Sequence, residues 1–472
     1  MNRESKPGTA SQAETGEPLA THVARFAAGT RYRDLPSGTT AIAKKHILDT
    51  LAVGLAGVPS EGSVLVRRYL EDLGCGGEAT VFGTALRTLP RFAALANASA
   101  MHADDYDDTY HPTRFHPSAP VLAAVCAEAE VAGASGEDVL AAFAVGTEVS
   151  LKLSHTIDKQ HYLRGFHMTS TCGVFGATAG VCNLRRLPAE TTTRALGIAG
   201  SESAGVRENF GTMVKPLHSG RAAENAVFAA ALAGIGFTSS PTILEGARGW
   251  CMTGAGGYDA TQLVGKLGNP WDYVARRVAI KPYPCGNLQQ PAMDALRDLV
   301  LQHDLQPGAL ERLAVKSHRL MPLNLTYHRP RTGLESKFSM EFSLASILVL
   351  RRAGLAEYSD EVVNRPDIQE VIGKTDYTTF SDEEAEAKGY TLWTTFLDLR
   401  MKDGRTYSAR AEVSKGSATM PMTDAEVARK FRECAAFAGW PGDRTEMIIE
   451  RVLKLETVRD IRDVTRLLGK ES

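Results

Sequence analysis

Apolar residues recur at helical spacing over most of the first 275 positions. In the segment TAIAKKHILDTLAVGLAG, the spacing places Ala43, Ile47 and Leu51 on one helix face. The segments APVLAAVCAEAEVAGAS, GEDVLAAFAVGTEVSLKLS and RAAENAVFAAALAGIGF show the same period with many small residues, which favours closely packed helices. Only EATVFG, at 78–83, is strand-like. The pattern therefore predicts a helical domain over residues 20–275.

The pattern changes after this region. WDYVARRVAIKPYP and ERLAVKSH are rich enough in β-branched residues to predict strands, and PAMDALRDLVLQH predicts a helix. TLWTTFLDLRMKDGRTYSARAEV predicts a hairpin that turns at Asp403–Gly404. We therefore expect a smaller α+β lid domain over residues 276–420, followed by C-terminal helices over 421–472 that pack back onto the helical domain. Residues 1–19 are polar and predict a flexible tail. The expected fold class is mainly α.

Composition and charge exclude several classes of protein. Of the 472 residues, 53 are Lys or Arg and 55 are Asp or Glu, which gives a net charge of −2. This balance argues against nucleic-acid binding. No apolar run reaches the length of about 18 residues that a membrane span needs, so we expect no membrane partner. The seven cysteines include no CxxC pair, which favours a reducing compartment and predicts a cytoplasmic protein.

Seven of the twelve histidines fall between positions 102 and 218, and the densest polar stretch is HADDYDDTYHPTRFHP. Buried carboxylates need partners, so this stretch is not an ordinary packing pattern. A solvated acidic loop is one alternative. Its DDYDD sequence also fits a magnesium diphosphate site, but no second acidic motif accompanies it. A His/Asp zinc site is a further alternative, although no HExxH or similar ligand spacing occurs. We therefore predict no metal.

Three further segments carry ionisable groups. In RGFHMTSTCG, His167 directly precedes a predicted helix start, where free backbone N–H groups favour anions. In GTMVKPLHSGRAAENA, the groups Lys215, His218 and Arg221 approach the start of an Ala-rich helix. In IKPYPCGNLQQP, Lys281 ends an apolar segment. Each segment alone also fits a capped helix or an ordinary corner of the fold.

Together these segments offer acids, imidazoles and lysines without a dinucleotide or phosphate motif. GxGxxG does not follow a predicted strand, and no Walker sequence is present. Such a set suits removal of a proton next to a carboxylate, followed by elimination or reprotonation.

The segments HADDYDDT, GFHMTSTCG, GTMVKPLHSGRAAENA, KPYPCG and KFSMEFSLA occur in this order along the chain. In these motifs, and along nearly its whole length, the chain resembles the MmgE/PrpD family. This family includes 2-methylcitrate dehydratase, cis-aconitate decarboxylase and iminodisuccinate epimerase. The resemblance implies a cofactor-free homodimer with a helical domain, a smaller α+β lid and an active site between them.

Carried over by motif, the resemblance implies a set of site residues. The expected catalytic residues are Asp105, His116, His167, Lys215 and Lys281. Thr109 is expected to bind the substrate by the same motifs. From their chemistry, we add four further expected substrate-binding residues: Arg114, His218, Arg221 and Gln290. In this scheme lysines hold carboxylates, an imidazole exchanges the proton, and the aspartate orients an imidazole.

The chain departs from the family pattern after Lys281. The decarboxylase pattern has a histidine five residues after that lysine, where this chain has Gly286. Many other relatives have a histidine just before the next proline, where this chain has Gln290, and glutamine cannot move a proton at neutral pH. We therefore expect first a hydro-lyase similar to 2-methylcitrate dehydratase, with a small di- or tricarboxylate as its substrate. An epimerase of an amino-dicarboxylate, a cis-aconitate-type decarboxylase and a non-catalytic carboxylate-binding protein are the alternatives.

Overall fold

The computed structural model describes residues 16–470 and divides the chain into two units. The predicted tail at 1–19 therefore lies almost wholly outside the described residues. The first unit contains the chain up to Ala103, then Asp108–Val278, and then the chain from Ala438 onward. The second unit contains Asp104–Asp107 and Ala279–Phe437.

Helices make up most of the first unit. They are α1 Leu19–Gly29, α2 Ser37–Ala56, α3 Glu61–Leu73, α4 Pro90–Met101, α5 Ser118–Ala132, α6 Gly136–Leu163, α7 Met168–Thr171, α8 Gly173–Leu184, α9 Ala189–Ser201, α10 Val214–Gly234 and α11 Trp250–Ala255. Two short antiparallel strands, β1 Ala79–Thr80 and β2 Arg87–Thr88, lie between α3 and α4 along the chain.

Glycines allow the central helices of the first unit to approach closely. Every residue of α8 is buried. A Cβ atom at Gly176 of α8 would lie 2.5 Å from the carbonyl oxygen of Gly146 in α6, and a Cβ at Gly146 would lie 2.7 Å from the carbonyl oxygen of Gly176. Neither distance is sterically possible, so the α6–α8 packing requires glycine at both positions. This explains the small-residue composition of the helical segments.

The second unit is built around a four-stranded sheet. Its elements are α12 Gln290–His303, β3 Leu310–His318, α13 Gly333–Ser336, α14 Met340–Leu350, α15 Asp360–Val363, α16 Pro366–Gly373, β4 Thr375–Phe380, α17 Asp382–Lys388, β5 Thr395–Met401, β6 Thr406–Ala411 and α18 Asp424–Phe437. The strand order is β4-β3-β5-β6, in which only the β3–β4 pair is parallel. Val315 pairs with Tyr377 on one side and with Leu397 on the other. The chain then returns to the first unit with α19 Gly442–Leu453 and α20 Arg462–Leu468.

The prediction of a mainly helical fold with a small α+β part is confirmed. The predicted hairpin also forms: β5 and β6 are joined by a turn in which Gly404 has a φ of 88° and the Met401 amide donates to the Arg405 carbonyl. Among residues 16–470, no helix is both long and apolar enough to cross a membrane.

Two expectations differ from the structure. The segment WDYVARRVAIKPYP was expected to be a strand, but Tyr273–Arg277 form a π-helical turn. Trp271, Asp272 and Tyr273 are buried in succession, which the alternating faces of a half-buried strand do not allow. The boundary between units also falls after Phe437 and not at 420, because α18 is held in the second unit, where Lys430 donates to the Lys281 carbonyl.

Candidate functional site

Four histidines from separate parts of the first unit lie together in its interior. His102 ends α4, His116 lies in the loop before α5, His167 caps α7 and His218 lies in the second turn of α10. Their exposed fractions are 1%, 9%, 1% and 8% respectively. The clustering seen along the sequence therefore corresponds to a cluster in space.

The histidine rings contact one another directly. The His102 ring centroid lies 4.6 Å from that of His116 and 5.6 Å from that of His167. The His167 centroid lies 5.3 Å from that of His218, and the Phe210 ring meets His167 edge-on at 4.9 Å. The cluster is thus a continuous group of imidazoles with an aromatic ring at one side.

His167 and His218 share a hydrogen bond between their Nδ1 atoms, which are 3.1 Å apart. Burial lowers the pKa of His167 well below the ordinary 6.5, and the charges of His102, Lys215, His218 and His116 lower it further. Burial and then the Lys215 charge lower the pKa of His218. Both rings are therefore neutral at pH 7, and one of them donates to the other.

Lys215 provides a buried positive charge beside these rings. It is the second residue of the 21-residue helix α10 and is 6% exposed. Its Nζ lies 5.3 Å from the Phe210 ring centroid. The amino end of a helix and an ammonium group both favour an anion, so this position suits a carboxylate group of a ligand.

His116 is held in a defined tautomer. Its Nδ1 lies 2.8 Å from the carbonyl oxygen of Asp108, and its backbone N–H donates to Thr169 Oγ1 at 3.1 Å. Because the carbonyl only accepts, Nδ1 carries the hydrogen and the basic lone pair is on Nε2. The Thr109 hydroxyl lies 3.4 Å from the same Nδ1, so Thr109 also lies at this histidine.

Asp108 has a role that the sequence analysis missed. Its carboxylate is fully buried and accepts from His46 Nδ1 at 2.7 Å and from the backbone N–H and hydroxyl of Ser118. Burial and the Asp108 charge raise the pKa of Tyr273 well above its ordinary value. The sequence did contain a signal for this contact: His46 lies inside the apolar pattern of α2, and a buried histidine requires a polar partner.

In the second unit, Lys281 and Asp105 form a buried ion pair. Lys281 Nζ donates to the Asp105 carbonyl at 2.7 Å and lies 3.2 Å from its carboxylate. Asp105 has a φ of 51°, an unusual left-handed backbone for a residue with a Cβ. Lys281 is 3% exposed and belongs to an extended segment, not to a strand.

Three predicted substrate-binding residues have other partners. The Arg114 guanidinium lies 5.5 Å from the Tyr162 ring, and that of Arg221 is paired with Glu224. Gln290 is 2% exposed, and its amide nitrogen donates at 3.2 Å to the carbonyl oxygens of Tyr283 and Cys285.

The Gln290 amide donors therefore fix the KPYPCG turn. In that turn the Gly286 N–H donates to the Lys337 carbonyl at 2.8 Å. The proposal below gives Arg221 and Gln290 no contact with the substrate.

The sequence of this chain matches two domain families. The MmgE/PrpD N-terminal domain matches residues 21–262, and the MmgE/PrpD C-terminal domain matches residues 283–455. The chain therefore belongs to the MmgE/PrpD family, as its motifs indicate.

Proteins named cis-aconitate decarboxylase are similar to this chain over most of their length. The protein of Homo sapiens is 28% identical over 437 residues, which cover 90% of this chain and 89% of the relative. That of Mus musculus is 28% identical over 453 residues, covering 93% and 91%. That of Aspergillus terreus is 27% identical over 498 residues, covering 98% of each.

Proposed function

We propose that this protein is a lyase that acts on a small di- or tricarboxylate without a cofactor. The observation that carries the proposal is the buried, hydrogen-bonded pair of neutral imidazoles, His167 and His218, beside the ammonium of Lys215. A neutral imidazole accepts a proton, and a desolvated ammonium binds a carboxylate. The relatives named cis-aconitate decarboxylase support the same class, since decarboxylases are lyases.

In this proposal, Lys215 binds a substrate carboxylate, and Lys281 is a second carboxylate-binding group, as the family motifs imply. His167 Nε2 removes a proton from the carbon next to a carboxylate while His167 Nδ1–H donates to His218. The C–H electron pair becomes the new double bond as the C–O bond breaks. The leaving hydroxide takes up the proton that His167 Nε2 has removed and departs as water, which returns His167 to its neutral state.

Dehydration is the first candidate reaction, with a substrate similar to 2-methylcitrate. The supporting observation is that the two positions at which the family patterns place a histidine carry none here: Gly286 has no side chain, and the Gln290 amide donates to backbone carbonyls. Decarboxylation is the second candidate, because the relatives named above are decarboxylases. In that reaction a C–C bond breaks, carbon dioxide leaves, and a histidine protonates the remaining carbanion.

Two further expectations stay proposals. We propose that the protein is a homodimer, which light scattering would test. We also propose that it works in the reducing cytoplasm, since its seven cysteines are scattered along the chain and include no CxxC pair. Fractionation of the cells that produce it would test this location.

The deciding experiment combines ligand-induced stabilisation with product analysis. Citrate, 2-methylcitrate, cis-aconitate and iminodisuccinate are first compared for their effect on the melting temperature, because a ligand of the native state raises it. Each stabilising ligand is then incubated with the protein in deuterated water, and products are identified by mass spectrometry and NMR.

A new alkene with loss of water supports the hydro-lyase, and release of carbon dioxide supports the decarboxylase. Deuterium in recovered substrate without a new product indicates an epimerase. Stabilisation without any change in the ligand would contradict the lyase proposal and indicate a carboxylate-binding protein.

A further inference from the structure

Three lysines of the second unit bind three consecutive backbone carbonyls. Lys337 Nζ donates to the Asp104 carbonyl at 2.8 Å, Lys281 Nζ to the Asp105 carbonyl at 2.7 Å, and Lys430 Nζ to the Tyr106 carbonyl at 2.9 Å. The three side chains come from distant parts of the sequence and are buried. They fix a short segment whose middle residue has a left-handed backbone.

Lys430 differs from the other two lysines in what it connects. Its ammonium also donates to the carbonyl oxygen of Lys281 at 2.9 Å, so it joins the backbone of Lys281 to that of Tyr106. It lies 3.7 Å from the centroid of the Tyr106 ring, and the Tyr106 hydroxyl donates to the Pro282 carbonyl at 3.2 Å. Residues 281–282 and 105–106 are therefore linked by four hydrogen bonds, two of which come from this one ammonium.

A buried ammonium is costly unless its donors are satisfied. Lys430 is 2% exposed, and it lies on α18, outside every motif singled out in the sequence. Its carbonyl partners and the face of the tyrosine ring compensate for the lost hydration. Its two hydrogen bonds also set the separation between the Lys281 backbone and the segment that carries Asp105.

We propose that Lys430 is a positioning residue that holds the Lys281 ammonium against Asp105 by binding the carbonyl oxygens of Lys281 and Tyr106. The inference rests on the proposed function, in which Lys281 binds a substrate carboxylate. Without Lys430, the backbone of Lys281 is no longer held through its carbonyl oxygen. The Lys281 ammonium then no longer has one fixed position. A substrate carboxylate then binds more weakly.

The test compares Lys430→Met with Lys316→Met as a matched control. Lys316 is a half-exposed lysine of the same unit, on β3, and it is paired with Glu384. Loss of a binding contact raises KM and leaves kcat unchanged, whereas partial unfolding lowers the active fraction, so that kcat falls and KM is unchanged. For Lys430→Met we expect KM to rise about tenfold with kcat retained, the cost of one well-made hydrogen bond. Lys316→Met should match the wild type.

A second measurement is independent of turnover. Labelling of Lys281 by an amine-reactive ester, quantified by peptide mass spectrometry, should be slow in the wild type and in Lys316→Met and faster in Lys430→Met. Lys430→Arg keeps a cation with several hydrogen-bond donors. It should restore, at least in part, both the wild-type KM and the slow labelling of Lys281. It also provides the test if the methionine variant does not fold.

The two proposals fail in distinguishable ways. If the wild type turns over no carboxylate, the proposed function fails, but the labelling of Lys281 still tests the positioning role. The positioning proposal is overturned if a folded Lys430→Met protein keeps the wild-type KM. It is also overturned if Lys281 is labelled as slowly in Lys430→Met as in Lys316→Met.

Discussion

The Nδ1 atoms of His167 and His218 lie 3.1 Å apart, so one hydrogen serves both rings. When His167 carries this hydrogen, its Nε2 has the lone pair and is a base. When His218 carries it, His167 Nδ1 accepts and His167 Nε2 becomes a donor. Because the pKa of each histidine is lowered, this exchange takes place between neutral rings. The pair can therefore take up a proton and return it.

The first prediction concerns the base itself. His167→Gln should lower kcat by roughly 10²–10⁴-fold, because general acid–base help of that size is lost, while the amide still fits near His218. Steady-state kinetics on the substrate found by the screen provide the measurement, and circular dichroism establishes that the variant is folded. His303→Gln changes an exposed histidine of α12 and is the control. Turnover by His167→Gln equal to that of the control would exclude His167 as the base.

The second prediction concerns the dependence of activity on pH. Because the pKa of His167 lies well below 6.5, the imidazole stays neutral and basic as the solution is acidified past that value. The log of kcat/KM should therefore remain level between about pH 7.5 and 6 and fall only at lower pH. A Lys215→Met variant removes one of the charges that lower this pKa, so its acid limb should move to higher pH. A wild-type limb centred near 6.5 would contradict the assignment of a buried base.

The sequence predicted the main helices, the hairpin and the groups at the histidine cluster. Helix α5 and helix α6 follow from long periodic segments with clear ends. His167 was found because it precedes a helix start, and Lys215 because it begins an Ala-rich helix. These features are local along the chain, so a short window of sequence contains the information that determines them.

Features that depend on distant partners were not predictable. Asp108 was not separated from the other aspartates, because its partner His46 lies 62 positions away. Gln290 was assigned to substrate binding, because the sequence does not show that its amide reaches back to Tyr283 and Cys285. The strand expected before Lys281 failed for a similar reason, since the burial of Tyr273 is set by packing against elements far away in sequence.

The third prediction tests the structural role of Gln290. Gln290→Leu preserves volume but leaves the carbonyls of Tyr283 and Cys285 without this donor, so the free energy of unfolding should fall by about 2 kcal/mol. Urea denaturation provides the measurement. Gln306 is exposed and donates to the carbonyl of the nearby Asp304, so Gln306→Leu should change stability little. Equal stability of the two variants would show that the Gln290 amide does not hold the turn.

The last prediction links another buried histidine to stability. His161 lies outside the cluster, with its ring stacked at 4.4 Å on Phe166 and its Nε2 2.8 Å from Thr171 Oγ1. Burial lowers its pKa from 6.5 to about 4. Between these values the unfolded chain binds a proton at this position that the folded chain does not bind. The free energy of unfolding therefore decreases as the pH falls through this range. The stability contributed by the neutral ring is fully present above pH 6.5 and is lost as the pH approaches 4.

Comparison with His161→Gln isolates this one group from the other titrating residues. The free energy of unfolding of the wild type, minus that of the variant, should decrease by about 1 kcal/mol per pH unit between about pH 6 and 5. Urea denaturation at several pH values measures the difference. The same difference taken with His303→Gln should show a much smaller slope, because that ring is exposed in the folded chain. A pH-independent difference for His161→Gln would mean that the folded protein accepts a proton at His161 as readily as the unfolded chain does.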